Sequence, residues 1–106
     1  MEITFETQLL IDLYQGKKIK EKEFRSNPSL IKQYIKTVQA LQSAPRIETL
    51  LQLGSLHYEK LKGNKKGTSS VRVNDQYRLI FSEISNENKP SEIVILNIEE
   101  LSKHYQ

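Results

Sequence analysis

The residues of this sequence best suited to chemistry are cations and ring-bearing side chains that can act on a phosphodiester. Between residues 60 and 78 the chain holds six cations against a single acid, Asp75. The cations are Lys60, Lys62, Lys65, Lys66, Arg72 and Arg78. Cations clustered around a glycine-flanked loop are typical of a site for an extended polyanion such as a nucleic acid. A solvated loop on an ordinary hairpin is the alternative, and charge alone does not choose between the two.

RNA cleavage requires few catalytic groups from the enzyme, because the 2′-hydroxyl of the substrate can itself act as the nucleophile. The enzyme must then move protons and stabilise the charge of the phosphorane. The chain holds candidates for both tasks, which are Arg72, Arg78, Lys62, His57, Glu99, His104 and Tyr105. Taken singly, each candidate except Arg78 is better explained as a surface or packing residue.

Motifs for other chemistries are missing from the sequence. His57 and His104 lie far apart, and there is no cysteine, so the sequence predicts no metal site. Gly63 and Gly67 have the spacing of a phosphate-binding loop, but the GK[ST] ending is absent. A Gly-x-Ser-x-Gly elbow is also absent, which disfavours a hydrolase with a protein nucleophile.

Length and composition limit the classes of protein to consider. The 106 residues predict a single domain, residues 1–106, with a core sufficient for folding. No apolar run approaches the length of a membrane span, and neither a signal-peptide pattern nor a cysteine is present, so we expect a cytoplasmic protein. The net charge of +3 permits RNA, DNA or an acidic protein as a partner.

The pattern of apolar residues predicts one strand, two helices and then three strands. Alternation predicts the first strand at 2–5, and helical spacing predicts helices at 7–14 and from Pro28 to Pro45. Asn27 and Pro28 form a strong helix start. The mixed charges of residues 17–23 indicate a solvent-facing connector, with a small RNA contact as the minority alternative.

The three remaining strands are predicted at 69–74, 77–84 and 92–98, the last one central in the sheet and covered on both faces for most of its length. The whole pattern predicts an α+β fold, with two N-terminal helices on one face of a mostly antiparallel four-stranded sheet. Polar side chains on the uncovered face are then the natural place for a ligand. Arg72 and Arg78 share a face only if the hairpin loop has three residues, and the sequence leaves the loop length open.

Residues 60–81, KLKGNKKGTSSVRVNDQYRLIF, resemble the signature of RelE/ParE-superfamily toxins, and most closely its HigB-type plasmid maintenance killer branch. That branch reads approximately L-K-G-(D/N)-(R/K)-x-G-x-x-S-(V/I)-R-(V/I)-N-x-x-(Y/W)-R-(L/I)-x-F. The matching residues are Leu61, Lys62, Gly63, Asn64, Lys65, Gly67, Ser70, Val71, Arg72, Val73, Asn74, Tyr77, Arg78 and Phe81. The strand EIVILNI and the polar tail ending in His-Tyr also resemble the last part of the family fold.

The resemblance implies a RelE-like domain that acts as the toxin of a type II toxin-antitoxin system. Such a toxin enters the ribosomal A site and cuts translated mRNA as an endoribonuclease, with neither cofactor nor metal. Its partners would be the ribosome, mRNA and a cognate helix-turn-helix antitoxin of the HigA type. Contact with operator DNA would occur only through the antitoxin complex, and no membrane would be involved.

The resemblance also implies roles for single residues. Arg78 would stabilise the phosphate, and His104 with Tyr105 would transfer protons. His57 and Glu99 are further candidates for the catalytic set. The RNA-holding set would be Lys60, Lys62, Lys65, Lys66 and Arg72. RelE itself has lysines where Thr68 and Ser70 stand and an arginine near the position of Glu99, so a HigB-like set of carboxylate, tyrosine and histidine is the better model.

Two alternatives share the same fold. One is a ParE-like inhibitor of DNA gyrase, which the His-Tyr tail disfavours. The other is a non-catalytic module that binds RNA or a protein partner.

Overall fold

A five-stranded sheet with helices on one face positions the candidate residues. The computed structural model of the protein describes residues 1–65 and 67–103. The helices within these residues are α1 (Gln8–Gln15), α2 (Lys22–Arg25), α3 (Pro28–Ser43) and α4 (Ile47–Gln52). The strands are β1 (Glu2–Phe5), β2 (Glu59–Lys60), β3 (Thr68–Arg72), β4 (Tyr77–Asn86) and β5 (Lys89–Lys103). Short 3₁₀ turns occupy Gly54–Leu56 and Gly63–Lys65.

Local sequence signals determine where the main helix begins. The Asn27 side chain accepts a hydrogen bond from the Leu30 backbone N–H at 3.3 Å, and Pro28 occupies the first helical turn, as predicted. One face of α3 is buried against the sheet through Leu30, Tyr34, Val38 and Leu41. Across the described residues, each helix is too short or too polar to traverse a bilayer.

The sheet order is β1-β5-β4-β3-β2, with β1 parallel to β5 and the other neighbours antiparallel. The α+β class and the mostly antiparallel sheet are confirmed, but the expected number of strands, four, is wrong. The additional strand is β2, whose Glu59 and Lys60 lie opposite Ser70 and Ser69. Two residues are too few to give an alternating pattern, so the sequence predicts a loop in this segment.

The connector predicted at residues 17–23 is also partly wrong, because its last residues begin α2. Phe24 of this short helix is only 7% exposed, and its ring centroid lies 6.4 Å from that of Tyr77. Burial of one aromatic side chain therefore fixes a helix within an otherwise charged segment.

Strand β5 is longer and more exposed than the sequence predicts. It is central, since it pairs with both β1 and β4, but the prediction that both faces are covered is wrong. Leu96 and Ile98 are fully buried on the helix side, whereas Ile93 to Ile95 are only half-buried. The helices cover one face, so the alternate side chains of β5 meet solvent.

The register of the β3–β4 hairpin places Arg72 directly opposite Arg78. Val73 N–H bonds the Tyr77 carbonyl at 3.0 Å, and the Asn74 side chain accepts from Tyr77 N–H at 2.8 Å. The loop is therefore the three-residue alternative, and both arginines lie on the face that the helices leave uncovered.

Candidate functional site

The uncovered face of the sheet contains a cleft of about 260 Å³ that is built from four strands. Its lining residues are Glu59, Leu61, Ser70, Arg78, Ile80, Ser102 and Lys103. We call this region the Arg78 cleft. Two larger clefts of about 500 Å³ and 590 Å³ lie beside α4, and their cations, Arg46 and Lys60, are exposed and lie beside acids. The smaller cleft is the better candidate site, because its central cation is oriented by neighbouring groups.

Arg78 donates its hydrogen bonds to neutral acceptors and forms one long ion pair. Its side chain is 16% exposed, its Nε donates to Ser70 Oγ at 2.9 Å, and its Nη2 donates to the His57 carbonyl at 2.7 Å. The nearest carboxylate oxygen, on exposed Glu59, lies 4.0 Å from Nη2. Nη1 has no acceptor among residues 1–65 and 67–103. The guanidinium is thus fixed in direction, its positive charge is only partly offset by Glu59, and it retains donors for an anion.

His57 reaches Arg78 through its backbone. The residue ends the first 3₁₀ turn in a left-handed conformation with φ of 45°, which directs its carbonyl to Arg78 while the imidazole stays exposed. Left-handed backbone is costly for a residue with a side chain and often marks a functional constraint. Sequence reasoning selected His57 for its ring and did not foresee the contact made by its carbonyl.

Ser70 is the residue of the cleft that sequence reasoning missed as a functional group. It is fully buried, lies opposite Ile80 in the hairpin and accepts the hydrogen bond from Arg78 Nε. One indication of a role for Ser70 was present in the sequence, because Ser70 matches the serine of the HigB-type signature. A buried hydroxyl that accepts from a guanidinium orients that group more firmly than solvent can.

The other candidate cations differ in their pairing. Lys65 Nζ lies 3.0 Å from Glu100 Oε1, and Arg72 pairs with Asp75. Lys60 and Lys62 are exposed and form no ion pair within the described residues. Lys66 lies outside the residues that the structure describes.

Of the three C-terminal candidates, Glu99 is the one that the described residues include. A register shift puts Ile98 opposite Phe81 and Glu100 opposite Ile80, so Glu99 is the extra residue of a β-bulge. Glu99 lines a separate cleft with Leu9 and Phe24, whereas Glu100 reaches Lys65. His104 and Tyr105 lie outside the described residues.

A polar cluster of Tyr58, Ser69 and Glu83 braces the segment beside His57. The Tyr58 hydroxyl and the Ser69 hydroxyl both donate to Glu83, and the Tyr58 ring stacks on Phe81 with centroids 6.3 Å apart. Burial, helped by the hydrogen bond to Glu83, raises the pKa of Tyr58 to about 12. Tyr58 therefore stays protonated at neutral pH and serves to fix the chain next to the Arg78 cleft.

The arrangement suits anion binding and charge stabilisation. An oriented guanidinium in a partly enclosed cleft can bind a phosphate and stabilise the charge that develops during its displacement. Within the described part of the chain, no three His, Asp or Glu side chains come together in a way that could hold a metal ion.

Sequence comparisons place the chain among known toxins. The family model of the RelE-like toxin of type II toxin-antitoxin system HigB matches residues 3–94, a range that includes the whole β3–β4 hairpin. Toxin HigB-1 of Vibrio cholerae serotype O1 is 34% identical over 82 residues, which cover 76% of this chain and 82% of that protein.

Solved structures share the fold. The YoeB/ParE toxin from Agrobacterium tumefaciens has a TM-score of 0.59 at 19% identity and covers 99% of this chain and 100% of its own. The YoeB dimer from Staphylococcus aureus has a TM-score of 0.54 at 26% identity, with 99% and 98% covered. YoeB in the YoeB-YefM complex from the same organism has a TM-score of 0.56 at 22% identity, again with 99% and 98% covered.

Three findings indicate the same family. They are the signature in the hairpin, the sheet with one uncovered face and the family match over most of the chain. The chain belongs to the HigB-type branch of the RelE superfamily, the toxins of type II toxin-antitoxin systems.

Proposed function

We propose that this toxin is an endoribonuclease that cuts translated mRNA in the ribosomal A site, using its own side chains without cofactor or metal. The observation that carries the proposal is the Arg78 guanidinium, held by Ser70 and the His57 carbonyl with donors left for a phosphate. Family membership supports the choice of RNA as substrate.

In the proposed reaction the ribose 2′-oxygen attacks the adjacent phosphorus, and a base takes the 2′-proton. The bond to the 5′-oxygen breaks as an acid protonates that leaving oxygen, which yields a cyclic 2′,3′-phosphate and a free 5′-hydroxyl. Arg78 stabilises the additional negative charge on the non-bridging oxygens. Removal of one such donor typically costs about 10²–10³-fold in rate.

We assign proton transfer to His104 and Tyr105. The residue that precedes them, Lys103, lines the Arg78 cleft and lies opposite Tyr77 in the sheet, which supports the choice of these two residues. The remaining candidates have weaker support, because Glu99 lines a separate cleft and His57 approaches Arg78 through its carbonyl.

The lysine-rich loop and its neighbours are proposed to hold RNA. Lys60 and Lys62 are exposed and available, whereas Lys65 and Arg72 must exchange an acidic partner for a phosphate. Lys66 completes the proposed set on charge alone. Contacts of this kind contribute affinity that decreases as salt rises.

We also propose that a helix-turn-helix antitoxin of the HigA type binds and silences the toxin. Membership of a type II family supports an antitoxin partner, and the structural neighbour YoeB is found in complex with YefM. Contact with operator DNA would then occur only through the toxin-antitoxin complex.

The test is cleavage of a defined mRNA on purified translating ribosomes. Wild-type protein is expected to cut at the A site, and Arg78→Ala is expected to lose about 10²–10³-fold in rate. Arg46→Ala is the matched control, because Arg46 precedes α4 away from the cleft and makes no side-chain capping bond. Its cleavage should equal that of the wild type.

Intact mRNA with wild-type protein and unaffected translation would refute the nuclease. Breaks in DNA on expression would favour the gyrase alternative, and expression without growth arrest would favour a non-catalytic module. A fully active Arg78→Ala variant would remove Arg78 from the mechanism.

A further inference from the structure

The formal charge of the chain is concentrated in two segments. Residues 17–36 hold seven cations and two acids, and residues 60–78 hold six cations and one acid. The rest of the chain holds three cations and ten acids. The second segment forms the Arg78 cleft and its loop, and the first is not used by the proposed reaction.

The cations of the first segment lie in the helical layer and the connector that leads into it. They are Lys17, Lys18, Lys20, Lys22, Arg25, Lys32 and Lys36, which we call the helical basic surface. Lys32 and Lys36 are one turn apart, about 6 Å along the α3 axis, on the side opposite the buried stripe. Helix α2 packs against α3 and presents Lys22 and Arg25 while burying Phe24. The outer side of the helices is therefore positive.

These cations form no ion pair with any residue that the structure describes. All seven side chains are exposed, and the three ion pairs among the described residues all lie at the hairpin and its flanking strands. Of the two acids in the segment, Glu23 accepts a hydrogen bond from the Tyr77 hydroxyl at 2.5 Å, and Glu21 lines a cleft with Lys18, Lys20 and Asp12. Seven cations against these few acids leave the surface with a net positive charge.

The composition of this surface favours a phosphate backbone over a protein or a membrane. The large exposed hydrophobic side chains of the described residues, Leu51, Leu53 and Ile84, all lie outside residues 17–36. Protein interfaces have an apolar or aromatic core, and helices that lie on membranes insert apolar side chains. Binding to nucleic-acid phosphates needs only cations that release counterions.

We infer that the helical basic surface is a second RNA-binding site, which takes the phosphate backbone of folded ribosomal RNA. This inference rests on the proposed function and extends it. The sheet lies between the two basic regions, so the toxin contacts RNA on both of its faces: the Arg78 cleft takes mRNA, and the helices attach the toxin to the ribosome.

The experiment measures association with purified ribosomes over a range of salt concentrations. The double variant Lys32→Gln/Lys36→Gln is expected to bind about tenfold more weakly at low salt, with the slope of log K against log salt shallower by about 1.5 to 2. The matched control Arg46→Gln/Lys89→Gln removes the same charge outside both segments and should leave the slope unchanged. Circular dichroism checks that both variants are folded.

Every measurement is repeated in the Arg78→Ala background, where the proposed chemistry is removed but ribosome binding can still be measured. Loss of affinity in the double variant supports the inference even if wild-type protein leaves mRNA uncut, an outcome that refutes only the nuclease. Unchanged affinity and slope, absence of wild-type binding to ribosomes, or an equal loss in the control would overturn the inference. So would a defect confined to binding of the antitoxin or of anionic vesicles.

Discussion

The two basic regions carry the same formal excess of cations but hold them in different ways. In the Arg78 cleft, the central guanidinium is 16% exposed and fixed by hydrogen bonds, while Lys65 and Arg72 face acids. On the helical basic surface every cation is exposed and none forms an ion pair within the described residues. Stabilising a transition state requires an oriented charge, whereas adhesion to RNA requires only available ones.

Replacement of arginine by lysine in the cleft, and of lysine by arginine on the helices, should show the largest difference between the two basic regions. Arg78→Lys keeps the charge but cannot bond Ser70, the His57 carbonyl and a phosphate together, so we expect about a 10²-fold loss of single-turnover cleavage. Lys36→Arg on the helical surface should leave both cleavage and ribosome binding near wild-type values. Full activity of Arg78→Lys would show that the cleft, like the helices, needs only charge.

Removal of the Ser70 hydroxyl, which orients Arg78, should have the next largest effect. Ser70→Ala leaves Arg78 Nε without its buried acceptor, so we expect about tenfold slower cleavage at unchanged ribosome affinity and a stability loss of about 1–2 kcal/mol. Ser102→Ala is the control, since Ser102 lines the same cleft and makes no side-chain hydrogen bond to another described residue. The NMR signal of the Arg78 Nε–H should broaden in Ser70→Ala alone. A signal identical to that of the wild type would exclude a positioning role for Ser70.

The sequence was sufficient for features encoded by neighbouring residues. Asn27 and Pro28 predict the start of α3, and alternation in the hairpin predicts which side chains meet the core. Arg78 was selected as a candidate because residue type and family pattern agreed on it, and its role stays a prediction. These signals depend on local spacing, which a single sequence displays directly.

Other features depend on contacts between distant segments. The carbonyl of His57 meets Arg78, 21 positions away, only because a left-handed residue ends a 3₁₀ turn there. A β-bulge decides that Glu100 rather than Glu99 reaches Lys65. The helical basic surface becomes apparent once α2 is packed against α3, which joins two stretches of charge that look unrelated in the sequence.

The polar cluster of Tyr58, Ser69 and Glu83 beside His57 should affect the stability of the protein in a defined pH range. Tyr58 has a folded-state pKa of about 12 against an ordinary value of 10, so folding favours its protonated form. That contribution is complete below pH 10 and is lost as the pH rises from 10 to 12. Denaturant unfolding should show a smaller loss of stability over this range in Tyr58→Phe than in the wild type.

Tyr34, whose pKa burial raises further, is present in both proteins and acts as an internal reference. At neutral pH, Tyr58→Phe should be about 1 kcal/mol less stable, because Glu83 loses a hydrogen-bond donor. The helical basic surface should bind ribosomes as before. Identical stability profiles for the two proteins between pH 10 and 12 would show that Tyr58 titrates normally.

The smallest expected effect is that of neutralising Glu100, an acid that pairs with Lys65 in the cleft region. Lys65 and Glu100 are 52% and 48% exposed, so Glu100→Gln should change stability by less than about 0.5 kcal/mol. It frees Lys65 for a phosphate, and ribosome affinity should rise about twofold with a salt slope steeper by up to about 1. Glu87→Gln removes an exposed acid that forms no ion pair among the described residues, and it should leave the slope unchanged. Within residues 1–65 and 67–103, the helical basic surface forms no ion pair of this kind. A gain seen only with Glu100→Gln would therefore show that acids restrain the cations of the cleft region, and equal slopes would show that Lys65 does not contact RNA.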